Sequence, residues 1–140
     1  MGPYSDSTVD LAWMRRIAIA LGALTLGACA TPTVDNIKSE PVAFTVTVAA
    51  PWDQVGECIA ANYSKIMVVN YRPMVRESRA EIIPMYVANS AQGMPMFVFD
   101  VRGSNNKTIV TLKRPKVFAN AALDGEARGM ITYCGGGEAE

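Results

Sequence analysis

An α+β fold, ordered strand–helix–antiparallel meander–helix, is predicted by three features of this 140-residue sequence. Val42 to Ala49 alternates, with Val42, Phe44, Val46 and Val48 on one face and Ala43, Thr45, Thr47 and Ala49 on the other. Such a period of two marks a strand with one buried face. Trp52, Val55, Ile59, Tyr63 and Ile66 then recur at helical spacing and form an apolar stripe. Finally, Phe97, Phe99 and Val101 alternate with Val98, Asp100 and Arg102, as an antiparallel sheet with one wet face requires. Two helices are expected on one face of a sheet of four to five strands.

The elements follow in chain order. After the first strand, Pro51 suits the opening turn of a helix, where its fixed φ fits and its missing N–H costs nothing. Asp53 lies near the positive end of that helix, which is expected to reach about Lys65, with Cys58 bordering its apolar stripe. Met67–Tyr71 and Met74–Glu77 read as one broken strand. Glu81–Val87, Met96–Arg102 and Lys107–Arg114 read as three more, with turn residues Asn89, Ser90 and Gly93 after the first of these. Gly103, Ser104, Asn105 and Asn106 give the tightest turn signal in the chain. Ala119–Cys134 is read as the closing helix on the spacing of Ala127, Met130, Ile131 and Cys134. Gly125 and Gly129 each cost about 1 kcal/mol in a helix interior. A looped first half, with Asp124 as N-cap, is therefore one form of that expectation.

The segment before the first strand has a different character. Arg15 and Arg16 precede a short apolar run, Ile17 to Leu26, which ends in Leu26, Gly27, Ala28 and Cys29. A run of that length is too short for a bilayer, which needs about 20 residues, and its positive flank and small residues mark a processed export signal. The segment resembles a bacterial lipoprotein signal peptide, with Leu26 to Cys29 as the lipobox. The resemblance implies a diacylglyceryl thioether on Cys29, cleavage before it and acylation of the new amino terminus. It also implies a cell-envelope location. Ala30, where an aspartate would favour retention, points to the outer membrane, facing the periplasm. Each buried methylene contributes about 0.8 kcal/mol, so two or three chains anchor durably where one does not. Asp6 and Asp10 sit badly ahead of a positive n-region, so Met14 is the expected translation start and residues 1–13 a mis-called extension. The expected organisation is a signal at 14–28, a lipidated tether at 29–41, one domain at 42–137 and a tail at 138–140.

Within this frame the remaining cysteines, Cys58 and Cys134, form an even pair in an oxidising compartment and are expected to bond. Two buried free thiols or a redox pair are the alternatives. After Cys29 eleven acids balance eleven bases, which argues against a nucleic-acid partner. Lys113, Arg114 and Lys116 form a basic cluster, read as a solvated strand end. The chain has no histidine, so the usual neutral-pH base and commonest metal ligand are missing. Serine and cysteine nucleophiles need a base, and only Asp, Glu and Lys are on offer. Asp100 and Arg102 share a strand face as a surface pair, usually worth little. No glycine-rich phosphate loop or metal-spaced cysteine motif is present.

These readings make the chain a membrane-anchored envelope lipoprotein without a cofactor or catalysis, a structural or interaction module meeting an envelope protein or cell-wall component. The alternative is a binder of a small apolar ligand or lipid, held between sheet and helices by Trp52, Met85, Phe97 and Phe99. A third reading uses the recurring Pro-Met pairs at Pro73, Pro84 and Pro95. Met74, Met85, Met94 and Met96 would supply soft thioethers for Cu(I), provided that the strands bring them together.

Overall fold

The computed structural model describes residues 31–87 and 93–137. The signal segment, Cys29, Asn89, Ser90 and the 138–140 tail lie outside these residues. The architecture is α+β, one antiparallel sheet with three helices. The elements are α1 (Val34–Ser39), β1 (Phe44–Val48), α2 (Trp52–Tyr63), β2 (Val68–Met74), β3 (Arg79–Tyr86), β4 (Met94–Pro95), β5 (Val98–Ser104), β6 (Lys107–Lys113) and α3 (Ala121–Cys134). Sheet order is β1-β6-β5-β3-β2, with β4 also paired to β3. Since β1 and β2 lie on opposite edges, α2 carries the chain across one face of the sheet. The meander then returns strand by strand to β1.

The expected pair of helices, α2 and α3, shares one face. Val55, Ile59 and Tyr63 of α2 and Ala127 and Ile131 of α3 are buried against Phe44, Ile82, Phe99, Val101, Val110 and Leu112 of the sheet. Cys58 and Cys134 form a disulfide between the two helices, with Cα atoms 5.6 Å apart. Arg128 of α3 lies 4.1 Å over the Phe44 ring, a cation–π contact that holds α3 to the edge strand. Arg114, expected to be a solvated cation, instead makes two hydrogen bonds of 2.7 Å to the Asp124 carboxylate at the start of α3.

Several boundaries differ from the sequence expectation for identifiable reasons. The strand opening the sheet starts at Phe44, and Val42 is exposed at 47% rather than part of its buried row. Helix α2 ends at Tyr63, where the Ser64 hydroxyl donates to the Ala60 carbonyl and Met67 N–H turns back to Tyr63. Ile66 thereby leaves the apolar stripe and is 74% exposed. The expected broken strand is a single β2 followed by a 3₁₀ turn at Val75–Glu77. Pro73 does not interrupt β2 because this is an edge strand. Helix α3 is continuous from Ala121, capped by Asn120, whose side chain accepts from Ala122 N–H at 2.8 Å. Asp124 lies in the first turn and is not the cap. A Cβ at Gly125 or Gly129 would meet nothing within 4 Å, so these glycines cost only helix propensity, which the contacts of α3 offset. Gly125→Ala is accordingly expected to raise stability by about 1 kcal/mol, read as a higher urea midpoint with unchanged slope.

The β5–β6 connection is the two-residue turn that Asn105 and Asn106 signal. Both have positive φ, 47° and 61°, and Ser104 pairs with Lys107 across it. Asparagine tolerates this left-handed backbone. Between β4 and β5 the chain carries a bulge. Ile82 pairs with Phe99 and Met85 with Pro95, so Met96–Val98 opposes Ile83–Pro84 with one extra residue. Met96 N–H still reaches Pro84 C=O at 2.9 Å.

Residues 32–41 correct the expected tether. The compact unit begins at Pro32, ahead of the expected domain start at Val42. Thr33 caps α1 by accepting from Asn36 N–H at 3.2 Å. Ile37, only 1% exposed, seats α1 on Ile83 and Val98, on the sheet face opposite α2 and α3. Ile37→Ala is expected to cost about 2 kcal/mol, the low end for a buried aliphatic side chain, because release of this short helix limits the loss. Hydrogen exchange should show α1 opening first.

Tyr63 is buried between α2 and the sheet, its ring 5.4 Å from that of Phe99. Burial, aided by the charge of Glu126, pushes its phenol up to about 12, from about 10 in an unfolded chain. Between those values the folded state keeps a proton that the unfolded state has lost. Stability should therefore be fully present below pH 10, roughly, and fall as pH rises toward 12. Urea midpoints across this range should fall less steeply in Tyr63→Phe.

Candidate functional site

The face of the sheet opposite α2 and α3 is only partly covered by α1, and a groove of about 630 Å³ lies beside that helix. Lys38 and Val42 form one wall. Arg72 and Met74 of β2, Arg79 and Glu81 of β3, Val98, Asp100 and Arg102 of β5, and Thr111 and Lys113 of β6 form the rest. Strand alternation places these residues there. Neighbouring residues such as Ala80, Ile82, Phe99 and Val101 point to the helix-side core.

Register arranges the charges in rows. Arg79 lies directly opposite Arg102, Glu81 opposite Asp100, and Arg72 opposite Glu81. Asp100 joins the first two rows. Its Oδ1 accepts from Arg79 Nε at 2.6 Å and its Oδ2 from Arg102 Nε at 2.8 Å. This hydrogen bond to Asp100 is the main reason the Arg79 guanidinium is raised above its ordinary value. Glu81, 8% exposed, takes Lys38 Nζ on both oxygens, at 2.9 and 2.8 Å. Lys113 Nζ donates to the Lys38 carbonyl at 2.6 Å. Arg72 makes no ion pair among the described residues. The two carboxylates thus act as acceptors that fix cations, and the groove presents five cations against two acids.

The residues proposed as walls of an apolar pocket are not gathered around one. Phe97 and Phe99 pack on each other, with centroids 6.2 Å apart, and on Tyr63 within the helix-side core. Met85 lies on the other face, against Ile37, Ile83 and Val98. Trp52 covers Gly103, where a Cβ would lie 2.7 Å from the indole Cδ1. A second hollow of about 480 Å³ adjoins Trp52 and the β5–β6 turn. The methionines are divided in the same way. Met96 packs toward the helix-side core, Met85 toward α1, and Met74 lines the groove. Cys58 and Cys134 are bonded to each other.

The Asp100–Arg102 pair expected from the sequence is present at 2.8 Å. The groove around it was not foreseen. Its cations come from five separate stretches of sequence, and only strand register brings them together. The one available signal was the run of charged residues on the wet positions of β3 and β5. No family model matches the chain, and no curated protein or solved structure matches it.

Proposed function

We propose that this chain is a lipoprotein of the bacterial cell envelope, anchored through acyl chains on Cys29 in the outer membrane and facing the periplasm. Its domain is a non-catalytic binding module that meets an envelope protein or cell-wall component through the groove. The cysteine arrangement carries this reading. The disulfide between Cys58 and Cys134 suits an oxidising compartment, and it leaves Cys29, at the lipobox, as the odd cysteine of three. The binding role is supported by groove carboxylates whose oxygens are already taken by cations. These groups hold position and are poorly placed to shuttle protons, and the chain has no histidine to do so.

Expression of the full chain in a bacterium tests the anchor. Intact-mass analysis is expected to show a chain beginning at Cys29 with added acyl mass, recovered with membranes, and Cys29→Ser should abolish both. A soluble, unmodified precursor would refute it. In-cell crosslinking tests the module: an Arg72→Gln/Lys113→Gln variant should lose the partner that the unsubstituted chain captures. A capture indifferent to the groove would refute that part.

A further inference from the structure

We propose that the groove binds a phosphate monoester group. The inference rests on the reading of the domain as a binding module and supplies its ligand chemistry. Its first support is the register. Like charges directly opposite each other destabilise a sheet, and opposite charges stabilise it. Here Arg79 faces Arg102 and Glu81 faces Asp100. Glu81 also faces Arg72 on its other side and holds Lys38, so the acidic pair is compensated within the groove. Asp100 bridges the two guanidiniums, but one carboxylate does not neutralise two cations, and the pair can still take a further anion.

The second support is the way they are held. Asp100 grips Arg79 through Nε and Arg102 through Nε and Nη2. A guanidinium has five N–H donors, so each keeps donors that no described residue takes up. A buttressed guanidinium loses less rotamer entropy when it binds, and its planar fork matches an oxyanion. Arg72 stands one row away, opposite Glu81 and without an ion pair among the described residues. Lys113, opposite Val98 at the far end of the groove, spends one proton on the Lys38 carbonyl and adds charge at longer range.

Charge and size select the ligand class. Five cations against two lining carboxylates, with the exposed Glu77 3.9 Å from Arg79 Nη1, leave a positive excess greater than one carboxylate neutralises. A phosphate monoester carries about two negative charges at neutral pH. A volume of about 630 Å³ lies in the range of small-ligand sites. Val42, Met74 and Val98 give part of the groove an apolar lining for the organic portion. The same group occurs on soluble phosphomonoesters and on phosphatidic acid, and the two sources are separable.

The full chain carrying Cys29→Ser, which removes the acyl chains, is titrated calorimetrically with phenyl phosphate and, in parallel, with benzoate. It is also cosedimented with phosphatidylcholine vesicles with and without phosphatidic acid. Saturable one-to-one binding of phenyl phosphate, at least tenfold tighter than benzoate, is expected. Arg72→Gln should weaken it by about tenfold, the loss of one charge-assisted hydrogen bond, and Lys113→Gln, which removes a more distant charge, by about threefold. Arg72 is exposed and Lys113 half-buried, and unchanged thermal melts would show that the fold is kept. Tight phenyl phosphate binding without vesicle preference supports a soluble ligand; binding dependent on phosphatidic acid and weakened by the same substitutions supports a lipid headgroup. No saturable binding in either arm, binding indifferent to both substitutions, or equal affinity for benzoate overturns the proposal. A groove-dependent crosslinked partner without phosphate binding would defeat the ligand class and leave the module standing.

Discussion

Replacing Cys58 or Cys134 with alanine is expected to lower the unfolding free energy by about 4 kcal/mol. The bond joins α2 to α3 across 76 positions of sequence. In the unfolded chain it closes a long loop, and the entropy so removed grows with the logarithm of loop length. Domains of this kind are stable by roughly 5–15 kcal/mol, so the loss is a large share. Urea unfolding of both single variants and the double variant provides the measurement. All three should have the same midpoint, because either substitution alone opens the loop and the second removes nothing further. Roughly additive losses would assign the effect to side-chain packing instead. A midpoint unmoved by reductant in the unsubstituted protein would mean that the bond makes no contribution.

The parts of this fold that were legible in the sequence share one property: each is long enough to repeat its period over a single buried face. Phe44, Val46 and Val48 of β1, the stripe of α2, and Phe97, Phe99 and Val101 all show it, and all reach the helix-side core. The α1 helix does not. Six residues with one buried side chain, Ile37, give fewer than two turns, and no apolar repeat distinguishes them from a tether. The boundary errors have a related cause. Ile66 continues the α2 spacing, but a helix stops where its carbonyls find other partners, which the apolar pattern does not record. The groove was the least legible feature because it is made by pairing. Lys38, Arg72, Arg79, Arg102 and Lys113 have no common spacing. Arg79, Arg102 and Lys113 are aligned by the two-residue Asn105–Asn106 turn, which sets the β5–β6 register, and by the bulge at Met96–Val98, which sets that of β3 against β4 and β5. Arg72 is placed by the β2–β3 pairing and Lys38 by α1. A one-residue slip would send each strand's charges into the core face. Where the sequence does show a basic cluster, at Lys113 to Lys116, Arg114 is taken by Asp124.

Phe99→Ala is expected to cost about 3–5 kcal/mol, toward the upper end of the range for a buried aromatic. Phe99 is completely buried, and the cost of truncation depends on how far its surroundings can collapse. Here they are fixed on every side. Its strand neighbours Ile82 and Leu112 are held by the ladders of β3 and β6. Tyr63 above it belongs to α2, which is tied to α3 by the disulfide. Phe97 beside it is held by the bulge. The void should therefore persist, and urea unfolding should show the loss as a lower midpoint with unchanged slope. Arg72→Gln, on the exposed groove, should stay within about 0.5 kcal/mol of the unsubstituted protein. The comparison also separates two roles for the aromatic cluster. If Phe97, Phe99 and Tyr63 only fill space, benzene should raise the melting temperature of Phe99→Ala, whose dry apolar cavity it can occupy, and leave the unsubstituted protein unaffected. An unsubstituted protein stabilised equally by benzene would mean that an apolar site already exists between sheet and helices, and a loss below about 1.5 kcal/mol would mean that the site relaxes more freely than these constraints allow.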